Sequence, residues 1–296
     1  MSRTSRDTLQ DVFRGFAEVL GQAGFSVDDA REIAYGLQFT VRRAGWSGLV
    51  RVYMNKRGEH KTDLSQIGGG EEAAEVARLL TAGAELPAIG ADEAGKGDYF
   101  GPLVCAAVHV DQKSASGLIL AGVRDSKKIS DRSLLVLADR IAEICRGRYH
   151  VVALGPAEYN SSYRQFRESG GNLNALLART HARAVREVCG RVKCRRIIVD
   201  RFARPELLEQ ILAGFDLLQV PRAERHIAVA AASILARARF LRDLEALGTE
   251  FEFDFAPGAS PEVVRRARGF VEIHGAGALE RVAKLHFKTT RQVLPS

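Results

Sequence analysis

The sequence predicts an α/β domain built on a mixed, layered sheet, preceded by a small α+β domain. From residue 88 onward, candidate strands and helices alternate along the chain. Before that point there is a shorter run of one helix, two or three strands and another helix. The segment 81–87 between them, Thr-Ala-Gly-Ala-Glu-Leu-Pro, is typical of a linker. We therefore assign residues 1–85 to an amino-terminal domain and residues 86–296 to a second domain.

The elements of the amino-terminal domain follow from residue spacing. Apolar residues at helical spacing predict a helix over 7–23, and Ser26-Val-Asp-Asp29 predicts the cap of a second helix. Glu71–Leu80 also predicts a helix. Residues that alternate between apolar and polar predict strands at 38–42, 48–54 and 60–64.

The second domain opens with a predicted hairpin, because an apolar run through 87–89 is followed by a glycine turn and by the strand-like run 102–110. The later predicted elements are a helix at 131–146, a strand at 149–154, a helix at 172–188, a strand at 195–200, and helices at 205–213 and 226–246. Such alternation favours a sheet flanked by helices.

Composition limits the class of protein. The chain has 296 residues, is 46% hydrophobic and contains no apolar run long enough to span a bilayer, while its first ten residues are polar and Arg-rich, unlike a secretory leader. Its four cysteines form no C-x-x-C pair, so we expect reduced thiols instead of a zinc site or disulfides. We therefore expect a cytoplasmic protein with no membrane partner, and a monomer because no long exposed apolar seam is evident.

Positive charge is concentrated in the second domain. Residues 86–296 hold 32 Lys and Arg against 24 Asp and Glu, a balance of +8, whereas residues 1–85 hold 11 against 12, a balance of −1. A basic body suits a polyanionic substrate. A basic protein that is merely soluble would have the same balance, so charge alone leaves both interpretations open.

Two adjacent acids, Asp92 and Glu93, end the first apolar run of the second domain and precede a Gly-Lys-Gly turn. The segment is not a phosphate-binding loop, because Gly97 stands where G-x-x-x-x-G-K is followed by Ser or Thr. A dinucleotide-binding loop is excluded because a strand-like run follows the glycines. In a fully extended strand the two acids would point to opposite faces, so we expect a local twist to bring them together.

Two more acids lie at the boundaries of later predicted elements. Asp200 ends the predicted strand 195–200, and Glu224 precedes an alanine-rich helix whose small side chains would allow close approach to the sheet. Glu224 could instead stabilise the first turn of that helix as a capping acid. If the four acids meet at one sheet end, their oxygen atoms select Mg²⁺ or Mn²⁺, and two such ions roughly 3.5–4 Å apart would support displacement at phosphorus.

The segment Asp92-Glu-Ala-Gly-Lys-Gly-Asp-Tyr-Phe-Gly-Pro-Leu103 resembles the signature of the type 2 ribonucleases H, and its Asp-Tyr-Phe-Gly-Pro form resembles the ribonuclease HIII branch. The resemblance extends over about residues 87–290. The other segments that carry it are Asp125-Ser-Lys-Lys-Ile129, Tyr159-Asn160 with Asn172-Leu-Asn-Ala-Leu-Leu-Ala178, Ala228-Val-Ala-Ala-Ala-Ser-Ile-Leu-Ala-Arg237, and Val282-Ala-Lys-Leu-His-Phe287.

This resemblance implies a ribonuclease H-like mixed sheet and an activity that cuts the RNA strand of RNA–DNA hybrids to leave 5′-phosphate and 3′-hydroxyl ends. Asp92, Glu93 and Asp200 match the family's first three metal-binding acids, and Glu224 matches the fourth catalytic acid. The turn Gly95-Lys96-Gly97 matches the one whose backbone contacts 2′-hydroxyl groups. Only this hydroxyl distinguishes RNA from DNA at one nucleotide.

Other polar residues are weaker candidates for substrate binding. Ser126 and Lys127, with Lys128, could hold phosphates or could form a solvated face. Asn160, Asn172 and Asn174 could contact sugar or backbone, although Asn172 could equally cap the helix that begins there. Ser233 could approach the substrate or simply pack.

The resemblance also implies a TATA-binding-protein-like amino-terminal domain. Its predicted hairpin contains Arg42, Arg43 and Arg51, and the interleaved aromatic residues are Phe39, Trp46 and Tyr53. That composition suits a sheet face that holds a nucleic-acid duplex. The alternative is a packing domain with a charged, hydrated edge.

Two other functions stay open beside a hybrid endonuclease. One is a ribonuclease HII-like enzyme that acts mainly at single embedded ribonucleotides, which the Asp-Tyr-Phe-Gly-Pro form argues against. The other is a non-catalytic nucleic-acid-binding protein on the same fold, which the complete set of acids argues against.

Overall fold

The chain folds into two compact units. The computed structural model describes residues 8–54, 60–80, 86–123, 130–201 and 205–294. One unit comprises Met1–Leu86 with Asp111–Val123, and the other comprises Pro87–Val110 with Arg124–Ser296. Our sequence boundary placed Asp111–Val123 in the second domain, whereas this segment packs with the first unit.

The first unit is an antiparallel sheet packed against helices. Its elements are α1 (Leu9–Gln22), β1 (Ser26–Val27), β2 (Arg31–Ile33), β3 (Gly36–Arg43), β4 (Trp46–Met54), β5 (His60–Asp63), α2 (Glu71–Leu80) and α3 (Gln112–Leu120). The strand order is β1-β3-β4-β5, and β2 also pairs with β3. The core gathers side chains from the helices and from one face of the sheet, among them Leu20, Phe39, Val50 and Val76.

The helices and strands predicted for this unit are confirmed except for one helix. A capping box between Thr8 and Asp11 starts α1, and α2 has the predicted bounds. No helix begins after Ser26, because Ser26 and Val27 pair with Arg42 and Val41 of β3. Pairing with the sheet therefore overrides the local capping signal of Ser26-Val-Asp-Asp29.

The second unit is a five-stranded sheet with helices on both faces. Its elements are β6 (Ala88–Ala94), β7 (Leu103–Val110), α4 (Asp131–Ile144), β8 (Tyr149–Leu154), α5 (Pro156–Glu168), α6 (Leu173–Cys189), β9 (Arg196–Asp200), α7 (Pro205–Ile211), β10 (Asp216–Val220), a 3₁₀ helix (Ala223–Arg225), α8 (Ile227–Phe251), α9 (Pro261–His274), a 3₁₀ turn (Ala276–Ala278), α10 (Leu279–Val282) and α11 (Lys288–Val293). The strand order is β10-β9-β6-β7-β8. Strands β6, β9 and β10 are parallel, and β7 is antiparallel to both of its neighbours.

Alternate residues of β6 face different helices. Ile89 and Ala91 belong to the core shared with α6. Gly90 faces α8, and a β-carbon there would lie 2.2 Å from the Ala228 carbonyl carbon. Only glycine allows this approach, and the predicted close packing of the alanine-rich helix on the sheet is confirmed.

The predicted hairpin and the strands at 149–154 and 195–200 are confirmed. The elements that were not predicted from the sequence include α3, α5, β10, α10 and α11. Helix α5 buries only Pro156, Tyr159 and Asn160, so it has almost no apolar periodicity to detect. Within the described ranges, no helix is both long and apolar enough to cross a membrane.

Candidate active site

Asp92 and Asp200 lie side by side at one end of the sheet. Strands β6 and β9 are parallel, and Ala91 pairs with Val199. The next residues are Asp92 on β6 and Asp200 on β9, so these two acids are neighbours across the two strands. The prediction that these acids end neighbouring strands is therefore confirmed by the strand register.

Glu224 enters the same region from the chain that leaves β10. Asp200 Oδ1 accepts hydrogen bonds from the backbone N–H of Arg201 at 3.0 Å and of Ala223 at 3.4 Å. The second bond ties Asp200 to the 3₁₀ helix that carries Glu224. Helix α8 begins later, at Ile227, with His226 as its N-cap and no acid in its first turn. Glu224 therefore lies in the 3₁₀ helix and outside the first turn of α8.

Asp92 and Glu93 are held on opposite faces of the sheet. Both pair regularly with β7, opposite Ala106 and Cys105. Asp92 accepts a hydrogen bond from Ser233 on α8, whereas Glu93 Oε2 is 2.9 Å from His181 Nε2 on α6. The convergence that we expected from a local twist is not seen between these two side chains, because the strand stays extended and each acid has its own partner.

Burial and charge shift the pKa values of the two acids in opposite directions. Burial, followed by the neighbouring Glu93 charge, raises the pKa of Asp92 to about 7. Burial also acts to raise the pKa of Glu93, but His181 and Lys96 outweigh it and lower this pKa. Lys96 Nζ lies 3.6 Å from Glu93 Oε1. Each oxygen of the Glu93 carboxylate thus has a cationic or N–H partner.

The acids fit a divalent ion by their chemistry. Four carboxylates offer the hard oxygen ligands that Mg²⁺ and Mn²⁺ prefer, and a cation would relieve the repulsion between Asp92 and Glu93. Among the described residues, however, no three His, Cys, Asp or Glu side chains are already grouped so that they could hold an ion. The metal-ligand roles of these acids therefore stay a prediction.

The Gly-Lys-Gly turn has one glycine that the fold requires and one that it does not. Gly95 has φ +85°, and a β-carbon there would meet Pro102 O at 2.1 Å. Gly97 is exposed, and a β-carbon there would meet nothing within 4 Å. The backbone at Gly97 is therefore open to close approach by another molecule.

The remaining candidates in this unit have varied positions. Asn160 is buried: its Nδ2 donates to Ala283 O at 2.8 Å and to Glu280 O at 3.2 Å, and its Oδ1 accepts from Leu285 N at 2.9 Å. Its amide thus holds the 280–285 backbone, a role different from the predicted contact with sugar. Asn172 caps α6, as the alternative interpretation predicts. Asn174 is half-buried, and Ser126 and Lys127 lie outside the described residues.

The three candidate arginines of the first unit are divided between two faces. Arg42 and Arg51 lie on the outer face, where Arg42 pairs with Asp28 and Arg51 bonds to Gln38 and Gln66. Arg43 points to the inner side: it pairs with Glu75, donates to Ala23 O and lies 4.0 Å from the centre of the Phe25 ring. The structure therefore gives Arg43 a packing role.

The interleaved aromatic residues are divided in the same way. Phe39 is a core residue with 2% of its surface exposed, and Trp46 packs against the core. Tyr53 lies on the outer face with Arg51, two positions away on β4. A face that holds nucleic acid would therefore include Tyr53 without Phe39 or Trp46.

Two buried polar residues around the site were not predicted from the sequence. His181 is fully buried and contacts Glu93 and Cys105. Lys284 is also fully buried, and its Nζ donates to Asp98 O at 2.8 Å and to Gly101 O at 2.7 Å, just after the Gly-Lys-Gly turn. His181 lies on an apolar helix face and Lys284 lies far along the chain, so spacing gave no signal for either.

Known proteins share this architecture. Residues 89–290 match the family model described as Ribonuclease HII. A curated relative, Ribonuclease HIII of Protochlamydia amoebophila, is 39% identical over 212 residues, which cover 70% of this chain and 68% of that protein. The crystal structure of Bst-RNase HIII in complex with Mn²⁺ has 29% identity and a TM-score of 0.66, and covers 90% of this chain and 92% of that one. That of Aquifex aeolicus RNase H3 has 28% identity and a TM-score of 0.58, and covers 94% and 97%.

The fold and the acidic strand ends define a ribonuclease H-like nuclease domain. The chain belongs to the ribonuclease HII family, in which the curated relatives that it resembles are ribonucleases HIII. It is therefore a ribonuclease H, an endoribonuclease and hydrolase.

Proposed function

We propose that this ribonuclease H cleaves the RNA strand of hybrids by a two-metal mechanism and leaves 5′-phosphate and 3′-hydroxyl ends. Asp92, Glu93 and Asp200 are the proposed metal ligands, and Glu224 is the fourth catalytic acid. The observation that carries the proposal is the parallel pairing of β6 with β9, which brings Asp92 next to Asp200. The Mn²⁺ complex of Bst-RNase HIII supports a divalent ion.

The chain's own side chains have distinct tasks in this mechanism. Two divalent ions, when bound, activate the attacking water and stabilise the leaving oxygen. Ser233 orients Asp92 by donating to its carboxylate. Lys96, which pairs with Glu93, is close enough to the acids to contact a substrate phosphate after that pair opens. Glu224 adds negative charge at the edge of the site.

The Gly-Lys-Gly turn is the proposed reader of the ribose. Gly97 leaves its backbone open, so a sugar can approach it without displacing a side chain. A 2′-hydroxyl both donates and accepts hydrogen bonds, and deoxyribose lacks it. Loss of this partner on an all-DNA strand would leave backbone groups unsatisfied in the complex.

The first unit is the proposed holder of the duplex. Arg42, Arg51 and Tyr53 share the outer face of its sheet. Arg42 and its partner Asp28 are about half exposed, so their ion pair is weak enough to yield to a phosphate. We also propose that the protein acts as a monomer in the cytoplasm. Sedimentation with and without hybrid tests the monomeric state.

The test compares three duplexes: a uniform hybrid, a DNA duplex with one embedded ribonucleotide, and an all-DNA duplex. We expect Mg²⁺- or Mn²⁺-dependent cleavage of the hybrid and none of the all-DNA duplex. Asp92→Asn and Asp200→Asn should abolish cleavage and retain hybrid binding, and Glu224→Gln should lose about tens- to thousands-fold in rate.

Other outcomes would change the assignment. Rapid cleavage at a single ribonucleotide with slow cleavage of the hybrid favours the ribonuclease HII-like alternative. Hybrid binding with no cleavage under either metal favours the non-catalytic alternative. Full turnover by Asp92→Asn at saturating metal would contradict the two-metal mechanism.

A further inference from the structure

A buried chain of three side chains lies behind the acid site. His181 Nε2 on α6 is 2.9 Å from Glu93 Oε2 on β6. The same imidazole hydrogen bonds with Cys105 on β7. Cys105 lies directly across the ladder from Glu93. The chain Cys105–His181–Glu93 therefore links the two strands of the hairpin to the helix that covers them.

We infer that His181 is a positioning residue of the active site, which holds the Glu93 carboxylate at the orientation needed to bind a divalent ion. This inference rests on the proposed function, in which Glu93 is a metal ligand. The imidazole N–H donates to Oε2, which fixes one carboxylate oxygen. The other oxygen, Oε1, is the one left for a cation, and Lys96 Nζ lies 3.6 Å from it.

The burial of His181 limits what else it can do. No part of its side chain is exposed, so it cannot touch substrate or exchange protons directly with solvent. Cys105 is equally buried, and burial raises the pKa of its thiol, which argues against a nucleophilic cysteine despite the triad-like order of groups. The role that this geometry supports is mechanical: it restricts rotation of Glu93.

This role makes metal affinity the property most sensitive to His181. Hydrogen-bond partners behind metal ligands typically contribute about 10–100-fold in metal affinity or activity. Because His181 is fully buried, it makes no direct contact with the hybrid. Loss of the imidazole should therefore weaken Mn²⁺ binding, leave the KM for hybrid unchanged, and lower kcat at limiting metal.

The experiment uses the full chain and two substitutions of different chemistry. His181→Met fills the space without a donor, and His181→Gln retains an N–H near the position of Nε2. Mn²⁺ binding is measured by calorimetry on the folded protein, and kcat and KM for hybrid are measured over a range of Mn²⁺ concentrations. The control is Thr180→Val on the neighbouring residue of α6, because the Thr180 hydroxyl is buried and donates to the Leu176 carbonyl of its own helix.

We expect the Mn²⁺ dissociation constant to rise about 10–100-fold in His181→Met, to recover at least in part in His181→Gln, and to stay unchanged in Thr180→Val. Excess Mn²⁺ should restore much of kcat in His181→Met. Unchanged Mn²⁺ affinity in folded His181→Met would overturn the inference, as would an equal loss in Thr180→Val. If His181→Met does not fold, His181→Leu replaces it as the variant without a donor, and the same two outcomes support or overturn the inference. Failure of the wild-type chain to cleave hybrid would instead refute the proposed function.

Discussion

Ser233 on α8 donates a hydrogen bond to the carboxylate of Asp92 on β6. The contact lies on the sheet face where Gly90 lets α8 approach the strand closely. Burial and the Glu93 charge raise the pKa of Asp92 to about 7, and the Ser233 bond opposes them because it stabilises the ionised form. The protonation of this acid near neutral pH is therefore set by its surroundings in the folded chain.

Without divalent ions, ionisation of Asp92 should destabilise the fold. The folded pKa of about 7 is above the ordinary 3.8, so the folded state holds the proton more tightly. The resulting stability is fully present below about pH 4 and is lost as pH rises through 7. Relative to Asp92→Asn, wild type should lose about 2–3 kcal/mol of unfolding free energy between pH 5 and pH 8, measured by urea unfolding in EDTA. Ser233→Ala should enlarge this loss, and a pH-independent difference would contradict the shifted pKa.

The two glycines of the turn should respond differently to alanine. Gly95→Ala introduces a β-carbon that meets Pro102 O at a φ of +85°, so it should lower thermal stability markedly. Gly97→Ala meets no neighbour, so stability should stay within about 0.5 kcal/mol of wild type. If the Gly97 backbone contacts ribose, this second variant should still raise the KM for hybrid or lower kcat. A stable Gly97→Ala enzyme with normal kinetics would remove the turn from the substrate site.

The local sequence predicted the strands of the second unit well, because apolar runs ending on acids or glycines have few other structures available. Asp92 and Asp200 were expected at neighbouring strand ends, and the register of β6 and β9 confirms it. An extended strand places Asp92 and Glu93 on opposite faces, as the structure shows. Our expectation that a local twist would bring the two side chains together was wrong. Their partners, Ser233 and His181, come from two distant helices and could not be read from local spacing.

Long-range packing also determines the roles of residues that the sequence suggested as substrate contacts. Asn160 is polar and follows a tyrosine, but its amide is used by a backbone segment more than a hundred residues away. Arg42 and Arg43 are adjacent on β3, where successive side chains point to opposite faces. Arg42 therefore points outward and Arg43 points inward. Knowing which face is buried requires the core, which residues scattered along the first unit build.

Lys284 should make stability rise at alkaline pH. Burial lowers its pKa to about 7 from 10.5, so the folded state releases a proton that the unfolded chain keeps between these values. The free-energy cost of the buried charge is present below pH 7 and declines as pH rises toward 10.5. Relative to Lys284→Met, wild type should gain about 2 kcal/mol in unfolding free energy between pH 7.5 and pH 9.5. If the difference in urea midpoint is the same at both pH values, the carbonyl contacts of Nζ with Asp98, Phe100 and Gly101 keep the ammonium charged throughout.

Arg42 and Arg51 should control the affinity of the first unit for duplex, and Arg43 should not. The first two lie on the outer sheet face, whereas Arg43 is held by Glu75, Ala23 and Phe25. Replacing both outer arginines with Gln should raise the KM for hybrid several-fold and change kcat little, because the four acids belong to the other unit.

Substitution is a sharper test than deletion of residues 1–85, because Asp111–Val123 packs with the first unit and would lose its partner. If each outer arginine neutralises one phosphate, the double substitution should flatten the log–log salt dependence of hybrid binding by up to about 1.8, at roughly 0.9 per contact for a B-form duplex. Arg43→Gln, the matched control, should lower unfolding free energy by about 1–3 kcal/mol through loss of a part-buried charged hydrogen bond and keep the wild-type salt slope. If the double variant has the wild-type KM and the wild-type salt dependence of binding, the outer face is only a hydrated edge. If the salt dependence flattens in Arg43→Gln alone, the duplex binds on the opposite side of this sheet.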